Sequence, residues 1–277
     1  MIDLRYAAPA KDVSDIFSIY YCGMVRTPFT GRERAAIAQL RFHLGGMVKA
    51  TMKTGKSFVI TQSVVQGPTT GPTHYDLHQS SYFVGCGLLP CGWDALLGRS
   101  AADYANEVLP FTEHMIAEAD EIELRLSQAA DFEAMVPILD DMARLLKKRV
   151  DNNIREFVAI VDGWLMASPS ADVADLYSQF SLSSRQVERL VKYLYGAPPK
   201  FIARKTRALR AARQLKLPGN SAEAEGAFYD QSHMIRELKH FTGETPSNIQ
   251  LDADKLTQLI EARAELGGQI HPLTVIT

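Results

Sequence analysis

The sequence of 277 residues contains too little of several features to belong to some common protein classes. Its three cysteines, Cys22, Cys86 and Cys91, are too few for a disulfide framework and their spacing fits no zinc pattern, so we expect reduced, buried thiols. No apolar run approaches the roughly 20 residues that a membrane-spanning helix needs. The N-terminus has no basic start followed by an apolar stretch, so we expect no secretion signal, no membrane association and a cytoplasmic protein.

Motifs for two kinds of catalysis are also missing. There is no G-x-S-x-G nucleophile elbow, no cysteine with an identifiable base beside it, and no glycine-rich phosphate loop. These absences argue against nucleophilic catalysis and nucleotide hydrolysis. We therefore expect a protein that is not an enzyme and that holds no cofactor.

Charge is present in ordinary amount but is unevenly distributed. Residues 1–167 hold 16 Lys and Arg against 20 Asp and Glu, residues 168–250 hold 12 against 8, and residues 251–277 hold 2 against 4. A mildly acidic front half joined to a basic back half is the asymmetry expected when only one domain faces phosphates.

The front of the chain has the pattern of short strands between turns. Between about residues 15 and 90, five such segments are separated by Gly45-Gly46, Thr54-Gly55, Gly67-Pro68 and Gly71-Pro72. Repeated short strands favour a sandwich or barrel. We predict a mainly β domain over 1–117, cupin-like or jelly-roll-like.

Helical spacing begins after Pro90. The segments WDALLG and SAADYANEVL have helical spacing, and Ser100 is placed to cap the second of them. A longer apolar stripe, running from Phe132 to Leu146 despite Pro137, predicts a helical connector over 118–150. The stripe fits core packing against the front domain and a dimer interface equally well.

The stretch SADVADLYSQFSLSSRQVERLVKYLYG has the pattern of two short helices around a tight turn. Ser183 followed by Gln186 is a capping box, which fixes the start of the second helix. If that helix lies in a major groove, its first turns must present polar side chains to base edges. The bland alternative is a solvated helix face.

The next segment, PKFIARKTRALRAARQLK, favours the DNA-binding alternative. It holds seven basic residues and no acidic residue. A helix this basic suits a path across a phosphate backbone. The seven are Lys200, Arg204, Lys205, Arg207, Arg210, Arg213 and Lys216.

The segment FYDQSHMIRELKHFTGETPSNI closely resembles the C-terminal signature of the AraC/XylS family of transcription regulators. Upstream, Ser183, Arg185, Gln186, Arg189, Gly196, Pro199 and Lys200 match the S-x-R-Q-L-x-R…G-x-x-P-K pattern of that family. The resemblance covers roughly residues 152–250. It implies two helix-turn-helix units, joined by the basic helix, whose recognition helices enter successive major grooves on one face of the DNA.

Site residues follow from this resemblance position by position. Arginine can pair with guanine and glutamine with adenine, so the residue types suit base recognition. For Arg189 and Arg236 a structural or phosphate role fits equally well, and we expect His233 to be a packing or backbone-bonding residue. The expected base-contacting residues are Arg185, Gln186, Glu188, Arg189, Gln231, Ser232 and Arg236, and the expected phosphate-contacting residues are Lys192, Lys200, Arg204 and Lys205.

One segment departs from the family pattern. Where the family has an apolar helix ending in Gly-Phe, this chain has LPGNSAEAEGAF, which is acidic and nearly free of large apolar residues. Ala227 replaces the usual glycine. The sequence therefore predicts a truncated or disordered first helix in the second helix-turn-helix unit.

The combined expectation is an α+β protein: a β-rich sensor or dimerisation domain (1–117), a helical connector (118–150), an all-α DNA-binding domain with two helix-turn-helix units (151–250) and a tail (251–277). The segments SVVQGPTTGP and GLLPCGWDALLGRSAADYANEVLPF resemble the uncharacterised β-rich domain of a subset of these regulators. Expected partners are double-stranded DNA, a small-molecule effector, RNA polymerase and a second copy of the chain. The alternative that the front half only forms dimers, without binding a small molecule, is not excluded by the sequence.

A metal-dependent, cupin-like enzyme domain fused to a degenerate helix-turn-helix module is the alternative function. His43, His74, His78 and His114 are available as ligands. However, the paired histidines and glutamate of metal-binding cupins are missing. We therefore expect no metal site.

Overall fold

The computed structural model describes residues 2–168, 171–217, 219–251 and 254–276. The strands are β1 Ile2–Ala7, β2 Phe17–Val25, β3 Phe29–Glu33, β4 Ala38–Gly45, β5 Val48–Met52, β6 Ser57–Ile60, β7 Val64–Gln66, β8 Thr73–Leu77, β9 Tyr82–Leu88 and β10 Val108–Pro110. The helices are α1 Pro90–Leu97, α2 Ala119–Gln128, α3 Phe132–Lys147, α4 Asn152–Ala167, α5 Val173–Ser178, α6 Ser184–Tyr195, α7 Pro199–Gln214, α8 Ser221–Gly226, α9 Gln231–Thr242, α10 Pro246–Gln250, α11 Lys255–Glu261 and α12 Pro272–Ile276.

Two antiparallel sheets form the front domain. The larger has the order β1-β2-β9-β4-β7-β10 and the smaller β3-β8-β5-β6. Because successive side chains on a strand point to opposite faces, β2 serves two layers. Tyr20 and Cys22 pack in the large apolar core with the helices, whereas Ile19 and Tyr21 line a cavity between the sheets. The predicted order, a mainly β front half followed by helices, is confirmed.

The connector helices pack onto the front domain. The stripe on α3 is buried in the same core as β2, β4 and β9. The carboxylate of Asp140, which is 9% exposed, accepts hydrogen bonds from the Tyr20 hydroxyl at 2.8 Å and the Ala10 backbone N–H at 3.0 Å. Of the two interpretations of the stripe, the structure shows core packing.

The segment after Ser100 differs from its predicted helix. Residues 101–104 form one 3₁₀ turn, and β10 then pairs antiparallel with β7. Between them Asn106 has a φ of +64°, and its side-chain oxygen accepts hydrogen bonds from the backbone N–H and hydroxyl of Thr70. The helical spacing is overridden by tertiary pairing, because a short segment gains more from completing a sheet than from two helical turns.

The two helix-turn-helix units are anchored differently. Leu176, Val187, Val191 and Leu194 of the first unit belong to the same continuous apolar core as the front domain. The second unit instead has a small cluster of its own, formed where α8, α9 and α10 meet the end of α7. The first unit therefore shares its apolar core with the front domain, whereas the second unit has a separate core.

Within the described ranges, no helix is both long and apolar enough to cross a membrane.

Candidate nucleic-acid interface

The first unit of this interface consists of α5, a tight turn and α6. Ser183 begins α6 through the predicted capping box, in which its side chain and that of Gln186 bond reciprocally with the backbone. Gly196 ends the helix at a φ of +83°, a conformation that favours glycine. Val187, Val191 and Leu194 point from one face of α6 into the core, so polar side chains on the opposite face of its first turns are exposed.

The candidate side chains on α6 fall into two groups. Arg185 and Arg189 are exposed. The side-chain oxygen of Gln186 instead accepts bonds from the backbone N–H and hydroxyl of Ser183, at 2.9 and 2.8 Å. Glu188 and Lys192 pair with each other at 3.1 Å, an exposed pair of small energetic value. Arg185 and Arg189 are therefore the side chains on α6 most accessible to a base edge.

The second unit repeats this construction. Helix α9 has 12 residues like α6 and begins at Asp230, whose carboxylate accepts the His233 backbone N–H at 2.7 Å. It ends at Gly243, with a φ of +77°. Its exposed first turns present the three other candidate base-contacting residues, Gln231, Ser232 and Arg236.

The first helix of the second unit is present but short. Helix α8 has six residues, in keeping with a truncated helix, and Ala224 is its buried residue. The N–H of His233 is used by the cap of α9, and its ring packs edge-on against Phe228, 5.7 Å between centroids. The His233 ring thus has a packing contact, in line with the packing role expected from the sequence.

The basic helix α7 exposes only part of its charge. Lys200 is exposed, and Arg204 makes two hydrogen bonds to Glu237 on α9, at 2.7 and 3.0 Å. Lys205, an expected phosphate contact, lies instead on the buried face and donates to the Ala36 backbone carbonyl of the front domain at 3.2 Å. Because this face of α7 packs against the front domain, the Lys205 ammonium is not accessible to a phosphate in this arrangement.

A groove lies between α5, α7 and α9, with about 590 Å³ of open space. Arg207, which was not among the expected site residues, places its guanidinium 5.5 Å from the centre of the Phe228 ring. Its Nε is buried and has no hydrogen-bond partner among the described residues. The lining includes Lys200, Arg204, Arg207 and His233, with Glu237 and Asp172 as the acidic members. Three cationic side chains of α7 that line a groove beside α9 suit a phosphate backbone.

The burial of Lys205 gives a testable prediction. Burial lowers its pKa from 10.5 to about 8. Replacing Lys205 with Met should raise the free energy of unfolding at pH 7 by about 1–3 kcal/mol, because a buried cation costs more than a methionine of similar length. The Ala36 carbonyl keeps a partner, since it also accepts the Thr69 N–H at 3.1 Å. Urea unfolding measures the difference.

The pH dependence of the Lys205→Met variant provides a second check. The folded protein releases the lysine proton near pH 8 and the unfolded chain only near 10.5, so the unfolded chain binds more protons in that interval. This lysine therefore makes the parent protein more stable as pH rises from 8 to 10.5. The variant should lack that contribution, and parallel pH profiles would contradict the assignment.

A second candidate site lies in the cavity between the sheets. Its walls are mainly apolar, from residues such as Ile19, Val48, Leu77 and Phe83. At one end Arg41 Nη2 lies 3.1 Å from a Glu33 carboxylate oxygen, and both side chains are largely buried. An apolar cavity with a few fixed polar groups is typical of small-molecule sites.

Two tyrosines and two glutamines complete the polar end of the cavity. Arg41 donates to the hydroxyls of Tyr21 and Tyr75, at 2.9 and 2.7 Å. Its other acceptors are the side-chain oxygens of Gln39 and Gln66, at 2.6 and 3.1 Å. Burial raises the pKa of Tyr21 to about 12, so its hydroxyl stays protonated at neutral pH. The sequence did not reveal this cluster, because Gln39 and Arg41 alternate with apolar Leu40 and Phe42 as on a solvent-facing strand.

The described part of the chain contains no cluster of metal ligands and no disulfide. No group of three or more His, Cys, Asp or Glu residues is placed to hold a metal ion there. Cys22, Cys86 and Cys91 are unpaired as disulfides and buried, and burial raises the pKa of each thiol.

Comparisons with known proteins give the following result. No protein-family model matches the chain, and no curated protein matches it. Among solved structures, ToxT from Vibrio cholerae strain O395 has 10% identity and a TM-score of 0.46, covering 90% of this chain and 97% of its own. ToxT bound to an unsaturated fatty acid has 10% identity and a TM-score of 0.44, with 91% and 94% covered.

The AraC-like transcriptional activator CuxR is also similar, with 10% identity, a TM-score of 0.31, and 76% and 86% of the two chains covered.

Proposed function

We propose that this chain is a sequence-specific DNA-binding transcription regulator of the AraC/XylS type. The observation that carries the proposal is the pair of matching helices, α6 and α9. Each has 12 residues, a side-chain cap at its start, exposed polar first turns and a terminal glycine at positive φ, and a basic helix connects them. A helix-turn-helix unit uses the N-terminal residues of its recognition helix to contact base edges, and those are the exposed turns here.

We propose that different side chains contact the bases and the phosphates of the DNA. Arg185, Arg189, Gln231, Ser232 and Arg236 would contact bases, because they are exposed on the first two turns of the two helices. Gln186 and Glu188 are less suited to contact bases, because the side chain of Gln186 takes part in the capping box and that of Glu188 pairs with Lys192. Phosphates would be bound by Lys200, Arg204, Arg207 and Lys192.

The front domain is proposed to sense a small molecule in the cavity between its sheets. The cavity supports sensing over a purely dimerising role, because a protein surface used only for pairing needs no apolar interior with a fixed polar end. The ligand would be a small, mainly apolar molecule with a hydrogen-bonding group. A second copy of the chain and RNA polymerase are the further proposed partners, and the cytoplasm is the proposed location.

The proposal is tested by selecting DNA from a random library with the full-length chain. We expect enrichment of a site with at least one recognition element, and of a second element about one helical turn away wherever both units reach successive major grooves. The selected duplex should bind at least about 1,000-fold more tightly than a scrambled duplex at physiological salt. No enrichment, with the protein shown to be folded, would refute the proposed function.

A phosphate role for Lys200 predicts a change in salt dependence. Replacing Lys200 with Ala should weaken binding to selected and scrambled duplexes by similar factors, and should reduce the slope of log K against log salt by about 1. Lys49 is an exposed lysine on β5 of the front domain, so Lys49→Ala is the matched control and should leave the slope unchanged. Titrations at four salt concentrations measure both slopes.

A further inference from the structure

Helix α11, in the C-terminal segment, lies against the front domain. Leu256 on α11 is 5% exposed and belongs to the apolar cluster between the two sheets. It approaches β3 at Gly31, where an added Cβ would lie only 2.3 Å from the Leu256 Cβ. Helix α11 therefore sits so close to the sheet that only glycine fits beneath it.

Polar contacts fix α11 in this position. The Asp254 carboxylate caps α11 and also accepts the Arg32 backbone N–H of β3 at 3.2 Å. The Thr257 hydroxyl donates to the Arg32 carbonyl at 2.8 Å. The Tyr6 hydroxyl of β1 donates to the Leu259 carbonyl at 3.2 Å. The helix is thus bonded to strands of both sheets.

The same helix covers one side of the cavity of the front domain. Leu256 and Ile260 on α11, and Arg263 just after it, form part of the cavity wall together with residues of β2 and β4. A molecule that fills the cavity up to this wall must contact α11.

Glu261, at the end of α11, connects the front domain to the second helix-turn-helix unit. One carboxylate oxygen lies 2.6 Å from Nη1 of Arg34, which is 3% exposed, and the other pairs with Lys216 just after α7. Nη2 of Arg34 lies 4.0 Å from Glu244, which follows α9. A buried guanidinium is costly unless it is paired. Loss of the Glu261 carboxylate would therefore weaken the contacts among α11, the front domain and the second helix-turn-helix unit.

The second unit has few other ties to the front domain. Three backbone carbonyls at the end of α9 accept bonds from it: His240 from Lys53 at 3.0 Å, Phe241 from the Ala35 N–H at 2.8 Å, and Gly243 from Arg32 at 3.0 Å. Phe241 also packs in a small cluster with Ala35. Because the first unit shares the main core and the second has a separate cluster, we expect displacement of α11 to affect the second unit first.

We propose that the C-terminal segment is a lid that couples the cavity to the second helix-turn-helix unit. In its observed position, α11 covers one side of the cavity and holds the end of α9 against the front domain through Glu261 and Arg34. A molecule that fills the cavity displaces α11, which frees the second unit to reach its own major groove. The effect on DNA rests on the proposed function, whereas the coupling between lid and second unit does not.

The lid is tested by replacing Gly31 with Ala, which places a methyl group where α11 must sit. We expect faster amide hydrogen exchange in α11 and in α9, and stronger binding of the fluorescent probe anilinonaphthalene sulfonate, because the cavity opens. The matched control is Gly163→Ala on α4, where an added Cβ meets no atom within 4 Å. The control should exchange and bind the probe like the parent protein.

A second variant tests the contacts of Glu261 separately. It also keeps the proposal testable if Gly31→Ala does not fold. Glu261→Gln removes the charge that pairs with Arg34 and Lys216 but adds no atom beneath α11. It should speed exchange in α9 while changing probe binding less than Gly31→Ala. Glu265→Gln, at an exposed glutamate of the same segment, is the matched control and should change neither.

Binding to the selected DNA completes the test. Gly31→Ala should bind it about fivefold or more tightly than Gly163→Ala, within the usual range of allosteric coupling. Equal exchange in α9, or equal DNA affinity, for these two folded variants overturns the lid. If even the parent protein binds no DNA selectively, the proposed function fails, and the exchange and probe measurements still decide the lid.

Discussion

Replacing Glu33 with Gln should lower the free energy of unfolding by about 3–5 kcal/mol, because it removes one partner of a buried ion pair. Glu33 also accepts from the Tyr75 hydroxyl at 3.1 Å and from the Gln39 amide at 2.8 Å. Glutamine would point an N–H group at one of these donors and would leave Arg41 without a counter-charge. Urea unfolding followed by circular dichroism measures the loss.

Two comparisons identify the cause of this destabilisation. Glu133 forms an exposed pair with Arg5, at 3.1 Å, so Glu133→Gln should cost at most about 1 kcal/mol. Replacing Glu33 and Arg41 together, by Leu and Met, should cost less than Glu33→Gln alone, since no uncompensated charge stays buried. A double variant less stable than the single one would contradict this explanation.

Replacing Arg185 with Ala should weaken binding to the selected DNA site by about 1–3 kcal/mol, or roughly 5- to 150-fold, if its guanidinium pairs with a guanine. Arg185 is suited to this role because it is exposed on the first turn of α6, immediately after the cap that fixes the helix start. Binding to scrambled DNA should fall far less, because only the phosphate attraction of one cation is lost. Competition titrations on the two duplexes measure the ratio.

The control for Arg185→Ala is an arginine that is exposed on the front domain. Arg26 has a side chain that is 70% exposed, and Arg26→Ala lowers the net charge by the same amount. It should change the affinity for either duplex only slightly. Equal losses on selected and scrambled DNA for Arg185→Ala would show that this residue binds phosphate instead of reading a base.

Local signals in the sequence predicted several features of the candidate interface correctly. The capping box at Ser183 and Gln186 depends only on residues three apart, and it forms as predicted. The acidic segment before Phe228 lacks large apolar residues, and the helix that it forms has only six residues. Such features follow from short-range chemistry, so they can be recognised without knowing what else packs nearby.

Which face of a helix or strand is buried was not predictable in the same way. Lys205 looks like its basic neighbours in the sequence, yet it is buried because the front domain covers that side of α7. Gln39 and Arg41 occupy alternate positions on β4, a pattern typical of a solvent-facing strand, but a second sheet covers them. In both cases the surface that buries the residue comes from a distant part of the chain.

The sequence by itself determined the order of the architecture, mainly strands first and mainly helices afterwards, together with the start of α6 at its capping box. Turn residues, caps and apolar spacing are local, and each acts within about one helical turn or one pair of strands. Only the tertiary structure decided that α11 covers the cavity and that Arg34 meets both Glu244 and Glu261. These contacts join residues more than 200 positions apart, and the burial that gives them their energy exists only after the chain has folded.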